Sequence, residues 1–78
     1  MKSNSIRIIR WGIIGLGKIA NKFATDLATL ENAELVAVAS RSKQNSNEFA
    51  TKYNAKKAYN SYLDLAKDTQ VDAIYIAT

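Results

Sequence analysis

Cysteine and histidine are both missing from this 78-residue chain. Without cysteine there are no disulfides and no thiolate chemistry, and without histidine the commonest general base is absent. We therefore predict no catalytic residues and no metal site in the chain, and we expect it in the reducing cytoplasm. Proline is missing too, and no linker or repeat divides the sequence. No apolar run approaches the ~18 residues of a membrane span, and the N-terminus lacks the pattern of a signal peptide.

The composition is that of one small globular domain. Hydrophobic residues make up 47% of the chain and charged residues 23%. We predict a flexible N-terminus over residues 1–5 and a single unit over residues 6–78. Eleven basic residues against seven acidic ones give a formal charge of +4, but the basic residues are scattered rather than clustered as in nucleic-acid-binding modules. We therefore expect neither nucleic acid nor a membrane as partner, and an anionic small ligand suits the charge better.

Strand and helix patterns alternate along the chain. Apolar runs typical of buried parallel strands occupy residues 6–14, 35–39 and 71–77, and a shorter one occupies residues 57–59. A helical pattern begins at Lys18 and ends at residues 31–32. Its apolar stripe consists of Ile19, Ala20, Phe23, Ala24, Leu27 and Ala28. This alternation predicts an α/β fold, a partial Rossmann fold whose four parallel strands have the order 3-2-1-4.

Two further helices have sequence signals at their starts. Either Ser42 or Asn45 caps the second helix, and Asn45 with Glu48 has the spacing of a capping box. Ser61, three residues before Asp64, gives a cap-like start to a short third helix. Both helices are therefore predicted to begin shortly after a strand ends.

A glycine-rich segment joins the first strand to the first helix. Residues 15–20 read Gly-Leu-Gly-Lys-Ile-Ala, which fits the dinucleotide-binding pattern G-x-G-x-x-A. Gly15 permits the tight turn, Gly17 lets a pyrophosphate approach the backbone, and Ala20 lets the helix pack closely on the strand. The helix start then offers free N–H groups and a positive dipole end to phosphates. The alternative is that the two glycines only form a turn. Gly12, inside the first strand, is interpreted as a packing residue.

The end of the second strand indicates which cofactor is bound. NAD-binding proteins of this type place an acidic residue there, which bonds the adenosine ribose. No acidic residue occurs between Glu34 and Glu48, and the tip reads Ser40-Arg41-Ser42. Because an arginine fork pairs with a 2′-phosphate and serine hydroxyls donate to it, the tip favours NADP over NAD. The alternative is an ordinary solvated loop arginine.

Other classes of site fit less well. No hydroxyl residue follows Lys18, so the glycine-rich segment is not a P-loop. The lack of an acidic residue at the end of the second strand argues against an S-adenosylmethionine methyltransferase. Three aspartates are expected to be cap and surface residues rather than metal ligands, namely Asp64, Asp68 and Asp72. The tyrosines at 53, 59, 62 and 75 fit helix–sheet packing better than catalysis.

The chain resembles the N-terminal domain of the glucose–fructose oxidoreductase/inositol dehydrogenase family, Gfo/Idh/MocA. The matching segments are residues 11–20, 35–42, 49–53, 58–63 and 71–78, in the family's order and spacing. The resemblance looks closest to the dihydrodiol dehydrogenase-like branch, which is similar in its Ser-Arg-Ser tip and typically uses NADP. It implies an enzyme that moves a hydride between a nicotinamide and a sugar, polyol or diol.

The resemblance also implies that the strand ending at residue 78 contacts the cofactor. With the motifs above, the predicted cofactor-binding residues are Gly15, Leu16, Gly17, Lys18, Ile19, Ser40, Arg41, Ser42, Ala77 and Thr78. No residue matches the family's Glu-Lys-Pro catalytic motif. We therefore expect a fragment that lacks the rest of the nucleotide-binding domain and the substrate domain, and that is inactive by itself.

Two expectations concern the short length. A naturally short, non-enzymatic nucleotide-binding or interaction module is the alternative to a fragment of an oxidoreductase. In either case the fourth strand forms an uncovered apolar edge of the predicted sheet. Since such edges pair with other chains, we expect self-association.

Overall fold

One parallel sheet with helices on both faces forms the fold in the computed structural model, which describes residues 7–77. The elements in chain order are β1 (Ile9–Ile14), α1 (Lys18–Leu27), β2 (Ala33–Ala39), α2 (Lys43–Tyr53), β3 (Lys57–Tyr59), α3 (Tyr62–Ala66) and β4 (Ala73–Ile76). The strand order is β3-β2-β1-β4 and every pair is parallel, which confirms the predicted fold class. Within residues 7–77 no helix has the length and apolarity needed to cross a membrane.

Several element boundaries differ from the predicted ones. The first strand begins at Ile9, while residue 6 lies outside the described residues. The first helix ends at Leu27, because the N–H groups of Thr29 and Leu30 bond carbonyls three residues back, in turns tighter than an α-helix. The second strand begins two residues earlier than predicted, at Ala33, and β4 is limited to Ala73–Ile76.

The core lies on both faces of the sheet. One cluster, beneath α1 and α2, contains Ile13, Ala20, Ala24, Val38, Phe49 and Ala50. The other, beneath α3, contains Ile14, Val36, Ala37, Ala39 and Leu65. Two residues of the predicted α1 stripe are not in the core, because the helix buries only the narrow row formed by Ala20, Ala24 and Leu27. Ile19 is 58% exposed and Ala28 is exposed as well.

Gly12 lies where β1 meets α3. A Cβ at this position would lie 2.9 Å from Cδ2 of Leu65 and 3.2 Å from Cγ1 of Val71. Leu65 is fully buried and has little room to move. This close approach confirms the interpretation of Gly12 as a packing residue.

The helix caps resolve the open alternatives. The Ser42 hydroxyl accepts a hydrogen bond from the Asn45 N–H at 3.2 Å, so Ser42 is the N-cap of α2. The predicted Asn45–Glu48 capping box is wrong, because Asn45 lies inside the helix and the Glu48 carboxylate accepts from Gln44. Ser61 caps α3 as predicted, accepting from the Asp64 N–H.

The side chain of Asp68 is buried, which corrects its prediction as a surface residue. Its side chain is only 4% exposed. It accepts hydrogen bonds from the Tyr59 hydroxyl at 2.7 Å, the Lys57 ammonium at 3.0 Å and the Gln70 N–H at 2.8 Å. These donors, the tyrosine hydroxyl first, lower the pKa of Asp68 to about 2. Asp68 therefore ties β3 to the loop before β4.

Asp72 makes a second charged link, between β4 and β1. Both of its carboxylate oxygens accept from Arg10, through the guanidinium at 2.9 and 3.1 Å and the backbone N–H at 2.8 Å. This bidentate pairing lowers the pKa of Asp72 to about 2. Both aspartates hold the sheet together.

Candidate functional site

The carboxyl ends of β1, β2 and β4 form one edge, and the predicted site residues that the structure describes lie there. Ile14 is in register with both Ala39 and Ile76. The Gly15 N–H donates to the Ala39 carbonyl at 3.0 Å, and the Ala77 N–H donates to the Ile14 carbonyl at 2.8 Å. The strand order reverses between β1 and β4, and ligands of open α/β sheets bind outside the carboxyl ends at such a reversal.

The turn after β1 requires glycine at its first position. Gly15 has a φ of 87°, a conformation that residues with a Cβ rarely adopt. Gly17 has a φ of −101°, and its position allows a side chain, since no protein atom lies within 4 Å of a Cβ built there. The open space beside Gly17 is therefore available to a ligand.

The first turn of α1 is suited to an anion. Gly17 is its N-cap, and no side chain caps the helix. Its first turn also contains no acidic residue. The N–H groups at a helix start have no partner within the helix, and the helix dipole makes this end positive. A dinucleotide's pyrophosphate fits this combination of open backbone, free donors and positive potential.

Three other predicted residues surround this turn. Leu16 is half-buried and packs against the α1–α2 core cluster. Lys18 and Ile19 are exposed and line an open groove of about 350 Å³ whose other walls are Lys22, Phe23, Asp26 and Tyr75. This groove lies beside α1 and β4 rather than across the turn, and the side chains of Lys18 and Ile19 line it.

At the tip of β2, the two serines are engaged within the protein. The Ser40 hydroxyl is buried and contacts the Ser42 carbonyl at 2.7 Å and the Ser46 hydroxyl at 2.9 Å. The Ser42 hydroxyl, as the N-cap of α2, accepts from the Asn45 N–H. Arg41 is exposed, and its guanidinium makes no hydrogen bond or ion pair with the residues the structure describes. Arg41 is therefore the charged side chain of the tip that is free to meet a ligand, and the Ser42 O–H also remains available as a donor.

Ala77 and Thr78 complete the predicted set. Ala77 lies beside the glycine turn, half-buried against the core cluster. Thr78 lies outside the described residues. Among residues 7–77, no three acidic side chains lie close enough together to hold a metal ion.

Two residues that support the site were missed by sequence reasoning. Ser46 is fully buried on α2 and donates to the Tyr59 carbonyl at 2.7 Å. Its spacing could have revealed it, because Ser46 lies three and four residues before Phe49 and Ala50, on the face of α2 that is buried. Asn21 on α1 bonds the Gly17 carbonyl. Nothing in the local sequence distinguishes it from a solvated helix asparagine.

Comparison with known proteins agrees with this geometry. A model of an oxidoreductase family with an NAD-binding Rossmann fold, GFO_IDH_MocA, matches residues 9–78, which is most of the chain. The chain belongs to the Gfo/Idh/MocA oxidoreductase family. Family membership confirms the resemblance seen in the sequence.

Curated relatives in the family are named trans-1,2-dihydrobenzene-1,2-diol dehydrogenase. The mouse (Mus musculus) protein is 51% identical over 72 residues, covering 90% of this chain and 22% of its own length. The human (Homo sapiens) protein is 46% identical over the same number of residues, with the same coverage. The chain thus spans about a fifth of the length of these relatives.

Solved structures of the family share the fold. A 3-ketoreductase from Actinomadura kijaniata, in complex with NADP, superposes with a TM-score of 0.87 at 27% identity, covering 92% of this chain and 23% of that one. A scyllo-inositol dehydrogenase from Lactobacillus casei, with bound NAD(H) and scyllo-inositol, gives a TM-score of 0.82 at 25% identity, covering 92% and 22%. Gfo/Idh/MocA proteins with this fold therefore include both NADP and NAD(H) complexes.

Proposed function

We propose that this chain is the cofactor-binding part of a cytoplasmic dehydrogenase that transfers a hydride between NADP and a sugar, polyol or diol. The observation that carries the proposal is the uncapped start of α1 beside the open backbone of Gly17. Relatives named as diol dehydrogenases and structural neighbours solved with nicotinamide cofactors support it. The absence of cysteine and histidine is consistent with a chain that contributes cofactor binding rather than acid–base chemistry.

The residues of the chain would hold the cofactor at two points. The backbone N–H groups at Lys18 and Ile19 would donate to the pyrophosphate, with the helix dipole stabilising its charge. The tip of β2 would meet the adenosine ribose. When bound, the nicotinamide supplies or accepts the hydride. Positioning a substrate against it requires groups that we propose lie outside these 78 residues, so we expect no hydride transfer by this chain alone.

The preference for NADP rests on Arg41. The Ser40 hydroxyl donates within the protein, while the Ser42 hydroxyl only accepts from the Asn45 N–H. The Arg41 guanidinium is the charged group of the tip, so we expect it to make the main contribution to a 2′-phosphate. A guanidinium pairs strongly with a phosphate. No carboxylate occupies the tip. A 2′-phosphate would therefore not be repelled there, and a free ribose hydroxyl would lack its usual acceptor.

Titration of the chain with 2′-phospho-AMP and with AMP tests this preference. We expect 2′-phospho-AMP to bind more tightly than AMP. Arg41→Ala should weaken 2′-phospho-AMP binding about tenfold or more while AMP binding changes little, since a charge-assisted contact contributes ~1.5–3 kcal/mol. Lys43→Ala is the control: it also removes a positive charge next to the tip, but the Lys43 ammonium donates to the Ala58 carbonyl at 2.9 Å, so the affinity for 2′-phospho-AMP should change little. Equal affinities of the wild-type chain for the two nucleotides would contradict the preference for NADP.

We also propose that the chain self-associates through β4, with a second copy as the occupant of its free edge. Within residues 7–77, β4 forms one edge of the sheet. Ile74 and Ile76 on it are 38% and 64% exposed. A sheet edge is complementary to a second copy of itself, since each presents the same unpaired N–H and C=O groups.

A further inference from the structure

We infer that Asn21 and Tyr53 act as positioning residues that hold the Gly17–Lys18 peptide in its phosphate-binding orientation, an inference that rests on the proposed function. Asn21 lies one turn into α1, and Tyr53 is the last residue of α2. Neither side chain is part of the predicted cofactor site. Together they connect the glycine turn to the far end of the second helix.

The contacts form a continuous chain of hydrogen bonds. The Asn21 side-chain amide donates to the Gly17 carbonyl at 2.9 Å, and the Asn21 backbone N–H donates to the same oxygen at 3.1 Å. The Tyr53 hydroxyl donates to Oδ1 of Asn21 at 2.6 Å, and the Lys52 ammonium donates to it at 3.3 Å. Because Oδ1 receives two donors, the Asn21 amide has only one orientation, with its NH₂ group on Gly17.

Fixing the Gly17 carbonyl also fixes a neighbouring donor. In a planar trans peptide the C=O and the following N–H point in opposite directions. Two donors from Asn21 hold the Gly17 carbonyl toward the body of α1, so the Lys18 N–H is directed out of the helix start. That N–H is one of the groups proposed to bind the pyrophosphate.

The turn needs such support because of its own composition. Glycine has more backbone freedom than any other residue, and Gly17 has no side chain with which to cap α1. In many helices a Ser, Thr, Asp or Asn N-cap fixes the first turn, but its side chain would occupy the space a phosphate needs here. The Asn21–Tyr53 pair provides the ordering from within the helix and leaves that space open.

The affinities of the full chain for ADP and for adenosine, measured by NMR titration, test the inference. Adenosine lacks the diphosphate, so the ratio of the two affinities reports on the glycine turn rather than on general stability. We expect Asn21→Ala and Tyr53→Phe each to lower ADP affinity about fivefold, the worth of one hydrogen bond, with adenosine affinity unchanged. Both variants are mild, because alanine is a strong helix former and phenylalanine keeps the ring that packs 4.7 Å from Phe49.

Tyr59→Phe is the matched control. It also removes a tyrosine hydroxyl bond, to Asp68, but away from the glycine turn, so it should lower stability and leave the ADP-to-adenosine ratio unchanged. If the wild-type chain prefers ADP and both test variants retain that preference in full, the inference is overturned while the proposed function stands. A loss of preference in Tyr59→Phe of equal size would also overturn it. A wild-type chain without any preference for ADP overturns the proposed function and the inference together.

Discussion

Glycines at 15 and 17 occur in one turn for different physical reasons. Gly15 is required by its backbone, with a φ of 87°. Gly17 has an ordinary φ and open space around it, so any requirement for glycine there comes from a ligand. We therefore expect Gly15 to matter for folding and Gly17 for ligand binding.

Gly15→Ala is expected to destabilise the chain by about 1–2 kcal/mol, the cost of placing a Cβ in a left-handed conformation. Urea denaturation measures the change in the free energy of unfolding. Gly17→Ala is the matched comparison and should cost less, because its φ is ordinary and only alanine's weaker N-cap preference opposes it. It should also lose ADP affinity, because its methyl group would fill the space proposed for a phosphate. Equal destabilisation by both substitutions would contradict this division of roles.

The Asp68 carboxylate makes stability depend on acid pH. Its pKa is about 2 in the folded chain against 3.8 ordinarily, so the folded state favours the ionised form. Its stabilising contribution is complete above pH 3.8 and is lost as the pH falls toward about 2, since the unfolded chain takes up the proton first. Asp72 behaves in the same way through Arg10.

Asp68→Asn should therefore lower stability at neutral pH and reduce the loss of stability between pH 3.8 and about 2. Part of that loss should persist in the variant because Asp72 is unchanged. Circular dichroism during acid titration measures both effects. Asp26→Asn is the control, since Asp26 is exposed in a surface pair with Lys22 at 3.6 Å, and it should leave the acid transition unaltered.

At the scale of elements, α2 ends in a turn that only a few residue types accept. Asn54 is left-handed, with a φ of 62°, and its N–H and that of Ala55 both donate to the Ala50 carbonyl. Asparagine tolerates this conformation and glycine adopts it freely. Asn54→Ala should cost about 1 kcal/mol, whereas Asn54→Gly should be neutral or slightly stabilising. Thermal denaturation of the two variants checks the prediction, and a stable Asn54→Ala variant would contradict it.

The elements were predictable from the sequence because their signals are local. The change from apolar strand to helical period at residues 15–18 predicted β1, the turn and α1. The end of α1 was not predictable, since Thr29 and Leu30 close it through tight turns that no breaker residue marks. The burial of a side chain was predictable only where its tertiary contacts agreed with the helical pattern of apolar residues. Ile19 has the spacing of a core residue, but it lies on the side of α1 beside β4 and is exposed.

Within the site, single residues were predicted and their networks were not. Gly15 and Gly17 follow from a motif whose spacing reflects backbone geometry. The contact of Ser40 with Ser46 depends on how α2 packs beside the end of β2, and the bond from Asn21 to the Gly17 carbonyl is a side-chain contact within α1 that its residue type does not specify. Contacts between residues distant in sequence, such as that of Tyr53 with Asn21, leave no spacing pattern to read.

At the scale of the whole molecule, an apolar surface extends from the edge of β4 onto α1. Phe23 stacks on Tyr75, with ring centroids 3.9 Å apart, and Trp11 packs edge-on against Phe23 at 5.2 Å. Ile19 lies exposed beside them on α1, and Ile76 lies exposed on the opposite face of β4. Strands of parallel sheets are normally covered on both faces, so we expect a partner at β4 to stabilise this surface.

Sedimentation velocity over a range of concentrations tests the proposed self-association. We expect dimers that dissociate on dilution, and we expect Ile76→Lys to shift the chain to monomers, because a lysine on an edge strand disfavours pairing. Leu63→Lys is the control: Leu63 is 61% exposed but lies on α3, so the same change of charge and polarity there should leave the dimer intact. A wild-type chain that stays monomeric at high concentration would contradict pairing through β4, as would equal dissociation by the two lysine variants.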